Sequence, residues 1–487
     1  MWMALLAVLF TCGIVHADGM ESGAPAVFSD GIERLNLTPT MQWLQDPTRE
    51  MTLEQARAKF DAAEHSPYGG DFFQLGPSRT AVWLRLNIEN QTDRDAFVLE
   101  ILNPRLPEID VYYPDQHGGF TESRLGIARP YAERDVRFPY PATTVRMEPW
   151  ATSSIYLRVY NTGDMRFLVR LWETNGFLNH AANAFVTEYL MAGLLLAMVV
   201  FHLVIYFSLR EINYLLLSLF LAAWLLWYLA FTATGSVLLW PDWPLLAERS
   251  PTVTTLMVCA TFAIFGNSLL EVRKFARRWS NALMLYAAIC GLGILEALLF
   301  DNIWRIYIAI TMVALGPVIT IAASIRVAGR GGASARRFLL TWCCLHLGGV
   351  TIIVISSYLF TSRGFGASWI NLVVVLSTLL WTFDLTGRVK LRMRAQRQLL
   401  EEKVEERTKE LRTALSEVKT LSGLLPMCAG CKKVRDDSGY WSSVESFIKE
   451  HSNADFTHGL CPDCRASLYP EVPMKSAQAP KSRGEKA

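Results

Sequence analysis

The chain has 487 residues, 51% of them hydrophobic and 19% charged, and its mean hydropathy is positive. That is too apolar for one soluble globule and too long for one domain, so several domains with membrane spans are expected. Lys and Arg number 47 against 45 Asp and Glu, a net charge of +2, and this near-balance implies no bulk attraction to nucleic acid.

The opening MWMALLAVLFTCGIVHA, residues 1–17, is an apolar stretch ending in Val15-His16-Ala17, a small-x-small pattern that predicts a signal peptide cleaved after Ala17. No Lys or Arg precedes the stretch, which keeps an uncleaved anchor as the competing reading. Residues 18–180 read as an exported soluble domain. Leu53, Ala56, Phe60 and Ala63 recur at helical spacing and predict a helix over 52–63. From Thr80 the period becomes two: AVWLRLNIEN sets Val82, Leu84, Leu86 and Ile88 against Trp83, Arg85, Asn87 and Glu89. DAFVLEIL, EIDVYYPD, TTVRMEP, SSIYLRVYN and MRFLVRLWE follow, separated by turn residues such as Asn103-Pro104, Gly118-Gly119 and Asn161-Thr162-Gly163. The pattern predicts an antiparallel β-sandwich of about eight strands. The region contains no cysteine, so it must be held by its own core rather than by disulfides. Trp83, Tyr112, Tyr113 and Tyr131 can stack on a sugar ring, but alternation suits several of them equally to the core, and the core reading carries more weight.

Seven apolar segments come next, at 186–208, 213–234, 252–271, 281–300, 304–325, 338–360 and 368–386, each near the length a helix needs to cross a bilayer. Basic residues follow the odd-numbered spans: Arg210; Arg273, Lys274, Arg277 and Arg278; Arg326, Arg330, Arg336 and Arg337; and Arg388 to Arg397 after the last. The opposite loops hold only Arg249 and Arg363, beside Asp242, Glu248 and Asp301. This asymmetry predicts seven spans, with the sandwich on the exported side and the C-terminus in the cytoplasm. The polar residues inside the spans are His202, Asn267, Glu296, Arg305, His346 and Asp384. His202 and Asn267 read as interhelical hydrogen-bond partners, Arg305 and Asp384 as snorkelling residues near span ends. Glu296 alone, within an otherwise apolar run, keeps a functional reading. The seventh span contains no lysine, which excludes a retinal Schiff base, and no broken or repeated pair of spans marks a transporter.

Residues 388–425 are charged and rich in helix formers, with Leu400, Val404, Leu411, Val418, Leu421 and Leu425 near a/d spacing. Arg407 and Ala414 weaken the seam, so a single solvated helix competes with a parallel coiled coil that would make the protein a homodimer. In 426–472, Cys428-x-x-Cys431 and Cys461-x-x-Cys464 are two pairs with zinc-knuckle spacing, on a segment expected in the reducing cytoplasm. They predict a structural zinc site, which His458 can join as a substitute ligand or support from just outside it. Ser442-x-x-Glu445 reads as a capping box between the pairs. Redox sensing by the same thiols is the rival reading, and residues 473–487 read as a disordered tail.

AVWLRLNIEN, LEILNPRLPEIDVYYPD, GIARPYAERDVRFP and SSIYLRVYN, followed by seven spans and a coiled linker, resemble the bacterial seven-transmembrane receptors with diverse intracellular signalling modules, over about residues 30–390. The resemblance implies an exported jelly-roll sensory domain, a small-molecule ligand that can be carbohydrate-like, and signal transfer through the spans to a cytoplasmic output. LLPMCAGCKKVRDDSGYW and FTHGLCPDCRASLYPE resemble a short C-terminal cysteine module of bacterial signalling proteins, which implies Cys428, Cys431, Cys461 and Cys464 as its defining positions. Only about 100 residues follow the last span, too few for a kinase or cyclase domain. The expected function is a receptor without catalytic activity that acts on a cytoplasmic effector protein. The alternative is a membrane-anchored redox or metal sensor whose cysteines are the input, and a catalytic role around Glu296 is a third.

Overall fold

The computed structural model describes residues 24–77, 80–161, 164–300, 304–331, 333–342, 365–417 and 425–471. They fall into two units, Met1–Gly387 and Arg388–Ala487. The expected signal peptide, His346, Val418, Leu421, the C-terminal tail and most of the expected span 338–360 lie outside the described residues.

The N-terminal domain packs two sheets face to face. The larger runs β4 (Ser66–Pro67), β3 (Gln42–Asp46), β6 (Ala81–Gln91), β11 (Ala151–Tyr160), β8 (Glu108–Pro114), β9 (Phe120–Leu125), with β1 (Ala26–Ser29) also on β6. The smaller runs β10 (Ala142–Arg146), β7 (Ala96–Ile101), β13 (Val169–Glu173), β2 (Arg34–Asn36), and β5 (Phe73–Pro77) pairs with β12 (Asp164–Phe167). Val82, Leu84, Leu86 and Ile88 of β6 meet Phe97, Leu99 and Ile101 of β7 in a common core, as the alternation requires. Among the described residues thirteen strands appear in this domain where about eight were expected, because β1 to β5 are two to five residues long and cannot display a period of two. The sheet is also not purely antiparallel: β1 lies parallel to β6, with Ala26 opposite Ile88.

The helix expected over 52–63 is α1, Leu53–Asp61. Thr52 Oγ1 accepts from Gln55 N at 3.4 Å and Gln55 Oε1 accepts from Thr52 N at 3.0 Å, a reciprocal cap that fixes the first turn. Its Ala56 and Phe60 press on Trp83, so the second face of β6 is covered as well.

Strand β13 runs directly into α2 (Thr174–Leu209). The helices α3 (Ile212–Phe231), α4 (Thr234–Leu238), α5 (Pro244–Leu269), α6 (Val272–Phe275), α7 (Arg277–Leu299), α8 (Trp304–Ala328), α9 (Ala333–Trp342) and α10 (Phe365–Glu417) follow. Among the described residues six of these, α2, α3, α5, α7, α8 and α10, are long and apolar enough to cross a membrane. They expose Leu190, Leu292, Ile310 and Phe383, apolar surface that suits lipid rather than water. Helix α10 spans 53 residues, and everything from 391 to 415 on it is exposed.

In the second unit β14 (Val434–Arg435) and β15 (Trp441–Ser442) form a hairpin, followed by α11 (Val444–His451) and α12 (Pro462–Leu468). The cap of α11 is Ser443, whose Oγ accepts from Ser446 N at 3.2 Å. Ser442 instead ends β15, so the expected Ser442-x-x-Glu445 box is displaced by one residue within the Ser-Ser pair.

Candidate functional site

The outer face of the larger sheet carries an aromatic cluster. Alternation turns Trp83 and Tyr156 away from the core, and α1 closes over them with Phe60. Trp83 is 1% exposed and stacks on Tyr112 at 5.7 Å, and its Nε1 has no hydrogen-bond partner among the described residues. Tyr112 donates to Glu122 Oε1 at 3.1 Å, and burial together with the Asp110 and Glu122 charges raises its pKa. Beside the cluster, past the end of α1, lies an open groove of about 450 Å³ lined by Trp43, Gln45, Lys59, Glu64 and His65. Its mixed charges and aromatic walls suit a small polar ligand.

The four expected aromatic residues are divided among three environments. Trp83 and Tyr112 share the outer face, whereas Tyr113, the next residue along β8, packs on the main core. Tyr131 is buried at the foot of the sandwich, where its N donates to Pro241 O at 3.0 Å and Arg134 lies over its ring at 5.2 Å. No single platform holds all four.

Sequence reading missed the junction between sandwich and helices. Buried Glu100 on β7 accepts from Trp172 Nε1 at 2.7 Å and meets His180 Nε2 of α2 at 3.2 Å. The His180 ring stacks on Trp172 at 4.5 Å, and Phe138 packs edge-on to Phe177 and Phe185 of the same helix. Burial, with the nearby Glu188 and Glu100 charges, pushes the Tyr140 phenol up to about 12. A second contact joins Ile127 to Ala230, Ala233, Trp240 and Ala247. Here Gly126 has φ +119°, and a Cβ on it would lie 2.1 Å from the Pro107 carbonyl, so only glycine fits the turn that aims Ile127 at the helices. A glutamate within the otherwise apolar run AFVLEI, residues 96–101, is the signal that was available in the sequence.

Within the spans, His202 is fully buried and bridges Met198 O and Thr382 Oγ1, each at 2.7 Å, which ties α2 to α10. Asn267 leaves its Oδ1 without a partner among the described residues, so no bridge is seen from that atom. Arg305 and Asp384, expected near span ends, each carry a counter-charge. Arg305 is 5% exposed and paired with Glu248 at 2.5 Å, and Asp384 is paired with Arg337, because a charge in apolar surroundings is held at lower cost by a counter-charge than alone. Glu296 is half-buried one turn from the end of α7.

In the tail, the backbone N–H and thiol of Cys431 depress the pKa of Cys428, and those of Cys464 depress that of Cys461. Cys428 and Cys461 are thereby disposed to ionise. Among the described residues no three His, Cys, Asp or Glu side chains gather around one point, so the structure does not bring the four cysteines and His458 together. Cys461 also caps α12, accepting from Cys464 N at 3.5 Å. His458 is exposed, three residues before it.

A β-sandwich continuous with a bundle of span-length helices is the architecture of a membrane protein that carries a folded domain outside its spans. Residues 38–173 match the family model described as 7TMR-DISM extracellular 2, and residues 185–382 match that described as 7TM diverse intracellular signalling. The chain belongs to this family of seven-transmembrane receptors with diverse intracellular signalling, and is a multi-pass inner-membrane protein with its N-terminal domain in the periplasm. No curated protein matches the chain. The matched architecture is that of a sensory receptor, not of a known catalytic family.

Proposed function

We propose that the receptor senses a small periplasmic ligand, carbohydrate-like in chemistry, on the outer face of a jelly-roll sandwich, and passes the signal through seven spans and a dimeric coil to a cytoplasmic cysteine module that docks an effector protein. The observation that carries the reading is the junction. β13 leads into α2 at Thr174 with no linker, and Glu100 holds both Trp172 of the strand and His180 of the helix. A shift of the strand therefore loads the first span directly, and a ligand acts by favouring one of two packings there.

In this reading Cys428, Cys431, Cys461 and Cys464 hold a structural zinc ion that shapes the docking surface, with His458 beside them. The test uses full-length receptor captured from its own membranes, intact or as Cys428→Ser/Cys461→Ser. The intact receptor is expected to recover an effector and about one zinc per chain, and the variant to lose both. Unchanged recovery by the variant rejects the docking role. The depressed pKa values of Cys428 and Cys461 favour one second reading, in which the thiols are themselves the sensor. Zinc released from the intact receptor at a cytosolic redox poise would establish that reading instead.

A further inference from the structure

Helix α5 starts at the sandwich, where Ala247 packs near Ile127, and so ends on the opposite face of the membrane. Helix α7 therefore begins, and α8 ends, on that opposite face. Between these two ends is a cavity of about 720 Å³ lined by Arg277, Arg278 and Trp279 of α7 and Ile325, Arg326 and Arg330, the last just past α8. Arg330 is committed to the Phe275 carbonyl. Among the described residues no carboxylate pairs with Arg277, Arg278 or Arg326, although Asp384 and Glu248 take up arginines elsewhere in the bundle.

Three guanidinium groups thus line the cavity from the start of α7 and the last turn of α8, with no carboxylate paired to them among the described residues. Two of them stand in the first turn of α7, which has no side-chain cap and whose dipole adds positive charge at the same point. Like charges at one opening repel one another, and an anion held between them relieves that repulsion. Guanidinium forks match phosphate oxygens in pairs, Trp279 is suited to the headgroup layer, and the Ile325 wall is suited to an acyl chain. We propose that this cavity binds a phosphate-bearing anion, supplied by the headgroup of an anionic phospholipid, and that the bound lipid fixes the spacing of α7 and α8. The site is independent of the sensory and cysteine readings.

The test measures retention of diphosphatidylglycerol, neutral phosphatidylcholine or sodium phosphate by detergent-purified full-length receptor, using native mass spectrometry. Arg277→Gln/Arg326→Gln is expected to weaken diphosphatidylglycerol binding about tenfold or more, since each arginine near an anionic headgroup contributes substantially. Arg394→Gln/Arg412→Gln, which removes the same charge from the exposed part of α10, should leave it within about twofold. Arg277→Lys/Arg326→Lys should recover most of the binding, which separates charge loss from misfolding. Competition by sodium phosphate as strong as by lipid assigns the site to free phosphate, and weak competition assigns it to the lipid. Equal loss in both Gln pairs, equal retention of phosphatidylcholine, or a Lys pair no better than the Gln pair overturns the proposal.

Discussion

Asp46 ends β3 and turns its carboxylate back onto the loop that leads to α1. It accepts from Thr48 Oγ1 at 2.7 Å, Arg49 N at 2.9 Å and Met51 N at 3.1 Å. Burial alone would raise its pKa, but the bonds from Thr48, Met51 and Arg49 and the charge of Arg158 hold it below the ordinary carboxylate value. A carboxylate depressed by folding contributes its full stability above the unfolded value and loses it as pH falls through the folded one. Asp46→Ala is therefore expected to cost about 2 kcal/mol at neutral pH and to flatten the loss of stability below about pH 4. Thermal unfolding of the full receptor from pH 7 to pH 3 checks both, and an unchanged acid profile rejects the role. Asp46 was not legible in the sequence, since its value lies in three backbone and hydroxyl donors that only the loop geometry brings together. Trp83 was half legible. Alternation assigned it to the second face of β6, but nothing in the spacing said that α1 would cover that face.

At the scale of elements, the long and strongly periodic pieces were legible and the short ones were not. β6, β7, β8 and β11 follow the alternation, whereas β1 and β2 carry too few residues to show one. Helix α2 begins at Thr174, not near 186, because its first turns are amphipathic and pack Phe177, Ala181 and Phe185 onto the sandwich, below the hydropathy of a span. The charged part of α10 exposes Leu400 (63%), Val404 (57%) and Leu411 (63%) on one chain. If these residues form the seam of a parallel dimer, burying each leucine supplies about 2 kcal/mol that a lysine forfeits. Leu400→Lys/Leu411→Lys is thus expected to convert full-length receptor in nanodiscs from dimer to monomer by mass photometry. A variant that stays dimeric places the dimer contact elsewhere.

For the whole molecule, sequence spacing marks an alternating region, a run of apolar segments and a cysteine tail, but the joints between sandwich and helices are made by residues far apart in the chain. Glu100 meets His180 across 80 positions, and Ile127 meets a cluster more than 100 positions away. Side-chain periodicity within an element carries no information about such pairs. Two attachments constrain the sandwich more than one. The β13 to α2 passage is one attachment, and the Ile127 contact, backed by the bond from Tyr131 N to Pro241 O and by Arg105 over Phe231 at 4.4 Å, resists rotation about it. Ile127→Asp places a charge against Ala230, Ala233 and Trp240 and should release the second attachment while leaving the first intact. Hydrogen exchange on the full receptor is expected to rise about tenfold or more in 126–131 and 240–247 together, with β6 and β11 unchanged. A rise confined to 126–131 would mean that the helices do not feel the sandwich at this point, and the signal would then have to cross at Glu100 and His180 alone.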